Sequence, residues 1–182
     1  MAEVLYLEDR RRRLAAKKGF RSWRQRFSGP FDETTRLEDL NDETLRSLIG
    51  GGEESETSLY ELIMGAKGMG AGLRFHFLDG TEKIGVVDIA IFLLDQLRFE
   101  AMRRLRWIDG YPGFHIPLIE LIEGYGVRFS EARHDTPALS PSHPRYGEYR
   151  GAFSGDRAVF VRRLIPDVIR TFGDTEGDPV TP

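Results

Sequence analysis

The predicted fold is decided by residues 73–107, which read LRFHFLDGTEKIGVVDIAIFLLDQLRFEAMRRLRW. At the start of this stretch, apolar side chains alternate with Arg74 and His76, as they do in a half-buried β-strand. Asp79-Gly80 is typical of a tight hairpin turn. With a two-residue turn, Phe75 faces Ile84, so the apolar side chains of both strands share one face. The sequence therefore predicts an antiparallel β-hairpin over about residues 73–87.

A long helix is predicted directly after the hairpin, over about residues 88–107, with Asp88 as its N-cap. Its first turns are apolar on nearly every side, which is typical of a helix in the centre of a core. In its second half the arginines are expected to face outward, with Glu100 and Arg104 at a favourable i, i+4 spacing. Because a lone hairpin is only marginally stable, its apolar face is expected to lie on this central helix.

Further helices are predicted where apolar side chains recur at helical spacing. One follows Asn41, one opens at Ser58 with a capping-box pattern, one covers about residues 115–124, and the last covers about 156–172 with a kink at Pro166. The fold class is therefore predicted as α+β and helix-dominated, with five to seven helices and one hairpin. The predicted organisation is an N-terminal helical arm (1–30), a globular domain (31–172) and an acidic flexible tail (173–182).

The charge of the chain is unevenly distributed, although the formal net charge is only −3 over 182 residues. Residues 1–30 hold nine lysines and arginines and three acids, a net charge of +6, and the remainder carries −9. The helix over residues 9–27 combines these cations with an apolar stripe of Ala16, Phe20, Trp23 and Phe27. Two interpretations stay open: the stripe packs on this protein's own acidic body, or the arm contacts a protein partner, a nucleic acid or an anionic membrane.

The composition excludes several kinds of site. Without cysteine there is no disulfide, zinc finger, cysteine nucleophile or iron–sulfur cluster, which suits a reducing compartment. The longest apolar run, Ile84 to Leu94, is about half as long as a bilayer span, so a soluble, cytoplasmic protein is expected.

No motif in the sequence identifies a catalytic, cofactor or metal site. The glycine run Gly65 to Gly72 reads GAKGMGAG, but it follows a helix instead of preceding one, so a helix end and a turn are expected there rather than a phosphate loop. His115, Asp109 and Glu120 could form an acid–base or metal cluster, but His115 and Glu120 are five residues apart and do not share a helix face. No cofactor, metal ligand or catalytic residue is predicted.

A long loop is expected at Ser140 to Gly151, where arginines and tyrosines alternate as they do in many interfaces. The leading hypothesis is a non-enzymatic interaction or accessory protein that contacts a partner, or a second copy of itself, through the arm and this loop. The alternatives are a nucleic-acid-associated protein using the same arm, and an enzyme with a site near His115 and the loop 134–150. The predicted binding residues are Arg10, Arg11, Arg12, Arg13, Lys17, Lys18, Arg21, Trp23, Arg24, Arg26, Arg145, Tyr146, Tyr149 and Arg150.

Overall fold

The computed structural model describes residues 2–70, 72–129 and 135–174, and for residues 2–6 and 73 only the backbone. Within these ranges the chain is helix-dominated, as predicted, but it contains no β-strand, so the α+β prediction is wrong. The helices are also more numerous than predicted. The elements are α1 (Ala2–Gly19), α2 (Trp23–Arg26), a 3₁₀ helix (Leu37–Asp39), α3 (Asp42–Ile49), α4 (Glu53–Ala66), a second 3₁₀ helix (Gly72–Phe77), α5 (Gly80–Arg104), α6 (Leu118–Gly124), α7 (Tyr146–Gly151), α8 (Ser154–Arg163) and α9 (Ile165–Asp174).

The β-hairpin predicted for residues 73–87 is replaced by the second 3₁₀ helix and the first turns of α5. Asp79 is the N-cap of α5 instead of a turn residue: its carboxylate accepts a hydrogen bond from the Glu82 amide at 2.8 Å, and the Glu82 carboxylate accepts one from the Asp79 amide at 3.1 Å. The alternating aromatics do not share a face either. Phe75 stacks on Tyr60 with 4.8 Å between the ring centroids, whereas Phe77 is 88% exposed.

The predicted central helix is present as α5, but it begins at Gly80 instead of Asp88. Its buried side chains, which include Val86, Ile89, Leu93 and Leu97, lie three or four residues apart, so the helical period runs through the segment that resembles a second strand. α5 packs against α3, α4 and α9. Its burial is incomplete, since Ile84 on the opposite side is 66% exposed.

Local sequence signals account for several of the other helix boundaries. The Asn41 side chain accepts a hydrogen bond from the Thr44 amide at 2.7 Å and caps α3, as predicted. The capping box at Ser58 is not used, because α4 begins at Glu53 and the Ser58 hydroxyl donates to the Glu54 carbonyl inside the helix. The last predicted helix is divided into α8 and α9, with Pro166 in the first turn of α9.

The first helix packs closely on α4. A Cβ atom on Gly65 would lie 2.7 Å from the Lys18 carbonyl oxygen, and one on Gly19 would lie 2.9 Å from the Leu62 carbonyl oxygen. The two backbones therefore touch where both helices carry glycine. The division of the chain into arm, domain and tail stays a prediction; residues 173 and 174 of the tail belong to α9, and residues 175–182 lie outside the described ranges.

Candidate functional site

The aromatic stripe of the basic segment lies in the core. Phe20 and Trp23 are fully buried, and the Trp23 indole nitrogen donates a hydrogen bond to the Ser58 carbonyl of α4 at 2.9 Å. The Trp23 ring makes edge contacts with Phe27 and Phe31, with centroids 5.5 and 5.7 Å apart. Trp23, one of the predicted binding residues, is therefore covered by this protein's own chain.

About half of the basic side chains in this segment also bind groups of the same chain. Ion pairs join Arg11 to Glu123 at 3.6 Å, Arg12 to Glu120 at 3.9 Å, Arg13 to Glu33 at 3.0 Å and Arg26 to Glu61 at 3.3 Å, and Arg24 donates to the carbonyl oxygens of Phe31 and Lys17. Arg10, Lys17, Lys18 and Arg21 are exposed and form no ion pair with the described residues. These four cations remain available to an anionic partner.

A groove follows the outer side of α1, and we call it the α1 groove. The space has a volume of about 690 Å³. One wall is formed by α1 residues, namely Leu7, Arg10, Arg11, Leu14, Ala15 and Lys18. The other is formed by Ala66 to Met69 at the end of α4, and Glu123 of α6 completes the lining. The α1 residues recur every three or four positions, so they share one helix face. Leu7 and Leu14 are 57% and 50% exposed. The groove thus combines exposed aliphatic side chains with cations.

The charge of the groove is positive. Arg10, Arg11, Lys18 and Lys67 line it, and of its described lining residues Glu123 alone is acidic. Because Glu123 pairs with Arg11, the other three cations give the groove an excess of positive charge. The predicted binding set contains Arg10, Arg11 and Lys18 of this groove but not Lys67. It also lacks Leu7 and Leu14, because the aromatic stripe was taken as the apolar face of the same helix.

No protein-family model matches this chain, and no curated protein or solved structure matches it either. A function therefore has to be inferred from the residues of this chain alone. Within the described ranges, no helix is both long enough and apolar enough to cross a membrane.

The predicted arginine–tyrosine loop forms α7 in its second half. Arg145 pairs with Glu148 at 2.8 Å and lies over the Phe160 ring at 4.9 Å. Tyr149 is buried with its ring centroid 5.9 Å from that of Phe160, Tyr146 is half-buried, and the Arg150 side chain is exposed. The tyrosines thus cover the edge of the core. Of the four predicted binding residues in this loop, Arg150 is exposed and forms no ion pair within the described ranges.

The histidines are not brought together with the acids considered as possible partners. His115 Nδ1 lies 3.3 Å from the Glu38 carboxylate, while Glu120 pairs with Arg12 and Arg128. His143 is buried, and its Nδ1 accepts a hydrogen bond from the Arg145 amide at 3.1 Å. His134 lies outside the described ranges. Among the described residues, no group of three His, Cys, Asp or Glu side chains is placed to hold a metal ion.

The carboxylate of Glu100 on α5 is buried and is held by hydrogen bonds from this protein's own side chains. Glu100 is fully buried and accepts four hydrogen bonds at 2.8–2.9 Å, two from Arg103, one from Arg104 and one from the Tyr111 hydroxyl. Burial by itself raises the pKa of Glu100, but these donors outweigh it and the pKa is lowered. Arg104 also binds Asp42 and three backbone carbonyls after α2. Glu100 therefore cross-links the core, and the predicted outward-facing pair with Arg104 is partly buried.

Proposed function

We propose that this protein is a non-enzymatic interaction or accessory protein of the cytoplasm, and that it binds an acidic, amphipathic segment of a partner protein in the α1 groove. The observation that carries the proposal is that two exposed leucines, seven residues apart on α1, lie beside cations that form no ion pair with any described residue. An amphipathic helix docks by placing apolar side chains in such a groove. Acidic residues along its edges would then meet Arg10, Lys18 and Lys67.

A protein partner fits this groove better than a nucleic acid. Leu7 and Leu14 offer apolar contacts, for which a phosphate backbone has no counterpart. The remainder of the chain carries a net charge of −9, which repels a long polyanion more strongly than a short acidic segment. The buried Tyr149 and the Arg145–Glu148 pair have no part in the proposal, since both are already satisfied by the chain itself.

A double substitution in the groove tests this proposal. Arg10→Glu combined with Leu14→Ser reverses one free cation and removes one exposed leucine four residues away. The matched control is Arg163→Glu with Val159→Ser, which makes the same kinds of change at exposed positions four residues apart on α8, outside the groove. Both variants are expected to fold, because all four positions are exposed.

Each protein is used to capture partners from cells of its source, with and without nuclease, and the captured material is quantified by mass spectrometry. We expect the parent and the α8 variant to retain an acidic protein and the groove variant to retain about tenfold less, as expected for an interface charge. Equal retention by all three, no captured protein, or release by nuclease would contradict the proposal. Light scattering adds a further check, because a concentration-dependent dimer lost only in the groove variant would make a second copy the partner.

A further inference from the structure

The outward side of α5 carries aliphatic side chains along the first half of the helix. Ile84 and Ile91 are 66% and 45% exposed, and Val87 and Leu94 are half-buried. These four side chains recur every three or four residues, so they share one face of the helix, which we call the α5 outer face. The side chains that this half of α5 buries in the core lie on the opposite side. A surface helix usually carries polar side chains in this place, so a continuous apolar face indicates a binding surface.

The α5 outer face is short and ends where α8 covers the helix. Asp95, the residue after Leu94, is 9% exposed and forms an ion pair with Arg162 of α8. Residues 84–94 span about 16 Å at the usual rise per residue of a helix. Because the interfaces of permanent complexes are larger, a contact of this length suits a reversible complex. α5 is already folded against α3, α4 and α9, so association does not require a helix to form.

The spacing on this face is that of a parallel two-stranded coiled coil. With Ile84 at position a of a heptad, Val87 occupies d, and the next a and d are Ile91 and Leu94. β-branched side chains at a, together with leucine at d, favour pairs of parallel helices. Positions c and f of the same heptads are buried in this protein's own core, which leaves a and d for a second helix.

The charges beside the face complement those of a second copy of the chain. Lys83, at position g, is half-buried and forms no ion pair with the described residues, and Asp88 is at position e. In a parallel pair, position g of each helix faces position e of the following heptad in the other helix. Lys83 of each copy therefore meets Asp88 of the other. An antiparallel pair would place e beside e, so that Asp88 would face another acid, which is unfavourable.

We propose that the α5 outer face binds the same face of a second copy of this chain, and that the two copies form a reversible dimer with their α5 helices parallel. A two-fold axis along the helices brings Ile84 against Ile84 and Ile91 against Ile91. Two ion pairs between Lys83 and Asp88, one on each side, then fix the register and the orientation. No residue of this face lines the α1 groove, so the two surfaces are separate.

Sedimentation of the full-length protein at concentrations up to about 200 µM tests the dimer. We expect the fraction of dimer to rise with concentration. Ile84→Asp should weaken dimerisation by about tenfold or more, because it places two like charges opposite each other in the contact. Val159→Asp is the matched control, since Val159 is 46% exposed on α8 and lies outside the face. Circular dichroism and urea midpoints verify that both variants fold.

The orientation is tested with a single introduced cysteine, because the chain contains none of its own. In the parallel dimer, Ile84→Cys brings the two introduced sulfurs together, and mild oxidation should join the copies through a disulfide. In an antiparallel pair that covers the whole face, the two sulfurs would be more than about 10 Å apart and would not join. Val159→Cys is the control for random collisions between exposed thiols.

A charge exchange tests the predicted ion pairs. Lys83→Asp alone and Asp88→Lys alone each place like charges opposite each other and should weaken dimerisation about tenfold. A mixture of the two variants restores both attractive pairs and should dimerise as well as the parent. If Asp88→Lys does not fold, the cross-linking of Ile84→Cys decides the orientation by itself.

Several results would overturn the proposal. They are a parent that stays monomeric over the whole range, undiminished dimerisation of Ile84→Asp, and Ile84→Cys that cross-links no faster than Val159→Cys. A monomer that binds vesicles of phosphatidylcholine and phosphatidylserine would show that a membrane covers the face instead. The groove variant Arg10→Glu/Leu14→Ser leaves the α5 outer face intact and should dimerise normally, whereas Ile84→Asp should still retain the acidic partner. Failure of the dimer and failure of the proposed partner binding are thereby distinguished.

Discussion

Replacing Trp23 with alanine tests whether the basic first segment belongs to the core. Its side chain is fully buried, and an aromatic side chain buries about 150–250 Å². At about 25 cal/mol per Å², this area corresponds to about 4–6 kcal/mol. The hydrogen bond to the Ser58 carbonyl adds about 1 kcal/mol. We therefore expect Trp23→Ala to lower the free energy of unfolding by about 5 kcal/mol, a large part of the total for a domain of this size.

Urea denaturation measures this loss, and the half-buried Trp107 remains as the fluorescent reporter in the variant. Arg21→Ala is the control, because Arg21 is exposed just before α2 and should change the free energy of unfolding by less than about 0.5 kcal/mol. A loss below about 1 kcal/mol for Trp23→Ala would refute the reasoning, since a core tryptophan cannot be truncated so cheaply. The first segment would then be a separate arm.

Two further predictions concern buried ionisable groups. Glu100→Gln should lower the free energy of unfolding by about 3 kcal/mol, because it removes the charge that faces two arginines. Glu43→Gln, at an exposed site, should not lower the free energy of unfolding. Equal urea midpoints for the two variants would contradict the prediction. Burial, followed by the charge of Arg145, lowers the pKa of His143, so below about pH 6.5 the unfolded chain takes up a proton more readily than the folded chain. Stability should therefore fall as the pH drops below about 6.5, and His143→Gln should flatten that slope; an unchanged slope in denaturation series would exclude the histidine as its source.

Some helix boundaries were predictable from local signals. The Asn41 cap and the break near Pro166 depend on residues within one turn of each other, and both are found where the sequence indicates them. Asp79-Gly80 is also a local signal, but it is compatible with two structures. The pair can form a hairpin turn, and it can begin a helix when Glu82 follows at the third helical position. Five alternating residues were too few to distinguish a strand from a 3₁₀ helix in which Phe75 stacks on Tyr60, fifteen residues earlier in the chain.

The candidate site was less predictable, because it depends on tertiary contacts. The cations of the first segment are evident from composition, but which of them are neutralised depends on Glu120 and Glu123, about a hundred residues along the chain. The glycine run is visible in the sequence, yet the close contact between Gly65 and the carbonyl of Lys18 depends on how α1 packs on α4.

Trp23 is synthesised well before the residues that cover it. Its hydrogen-bond acceptor, Ser58, lies 35 residues further along, an interval of about 2–7 s at usual rates of translation. During that interval the nascent chain presents an aromatic stripe, which makes an unfolded segment prone to aggregate or to be held by chaperones. Glu123 and Glu120, which pair with Arg11 and Arg12, are synthesised later still. Until then the unneutralised charges of the two arginines oppose self-association of the growing chain.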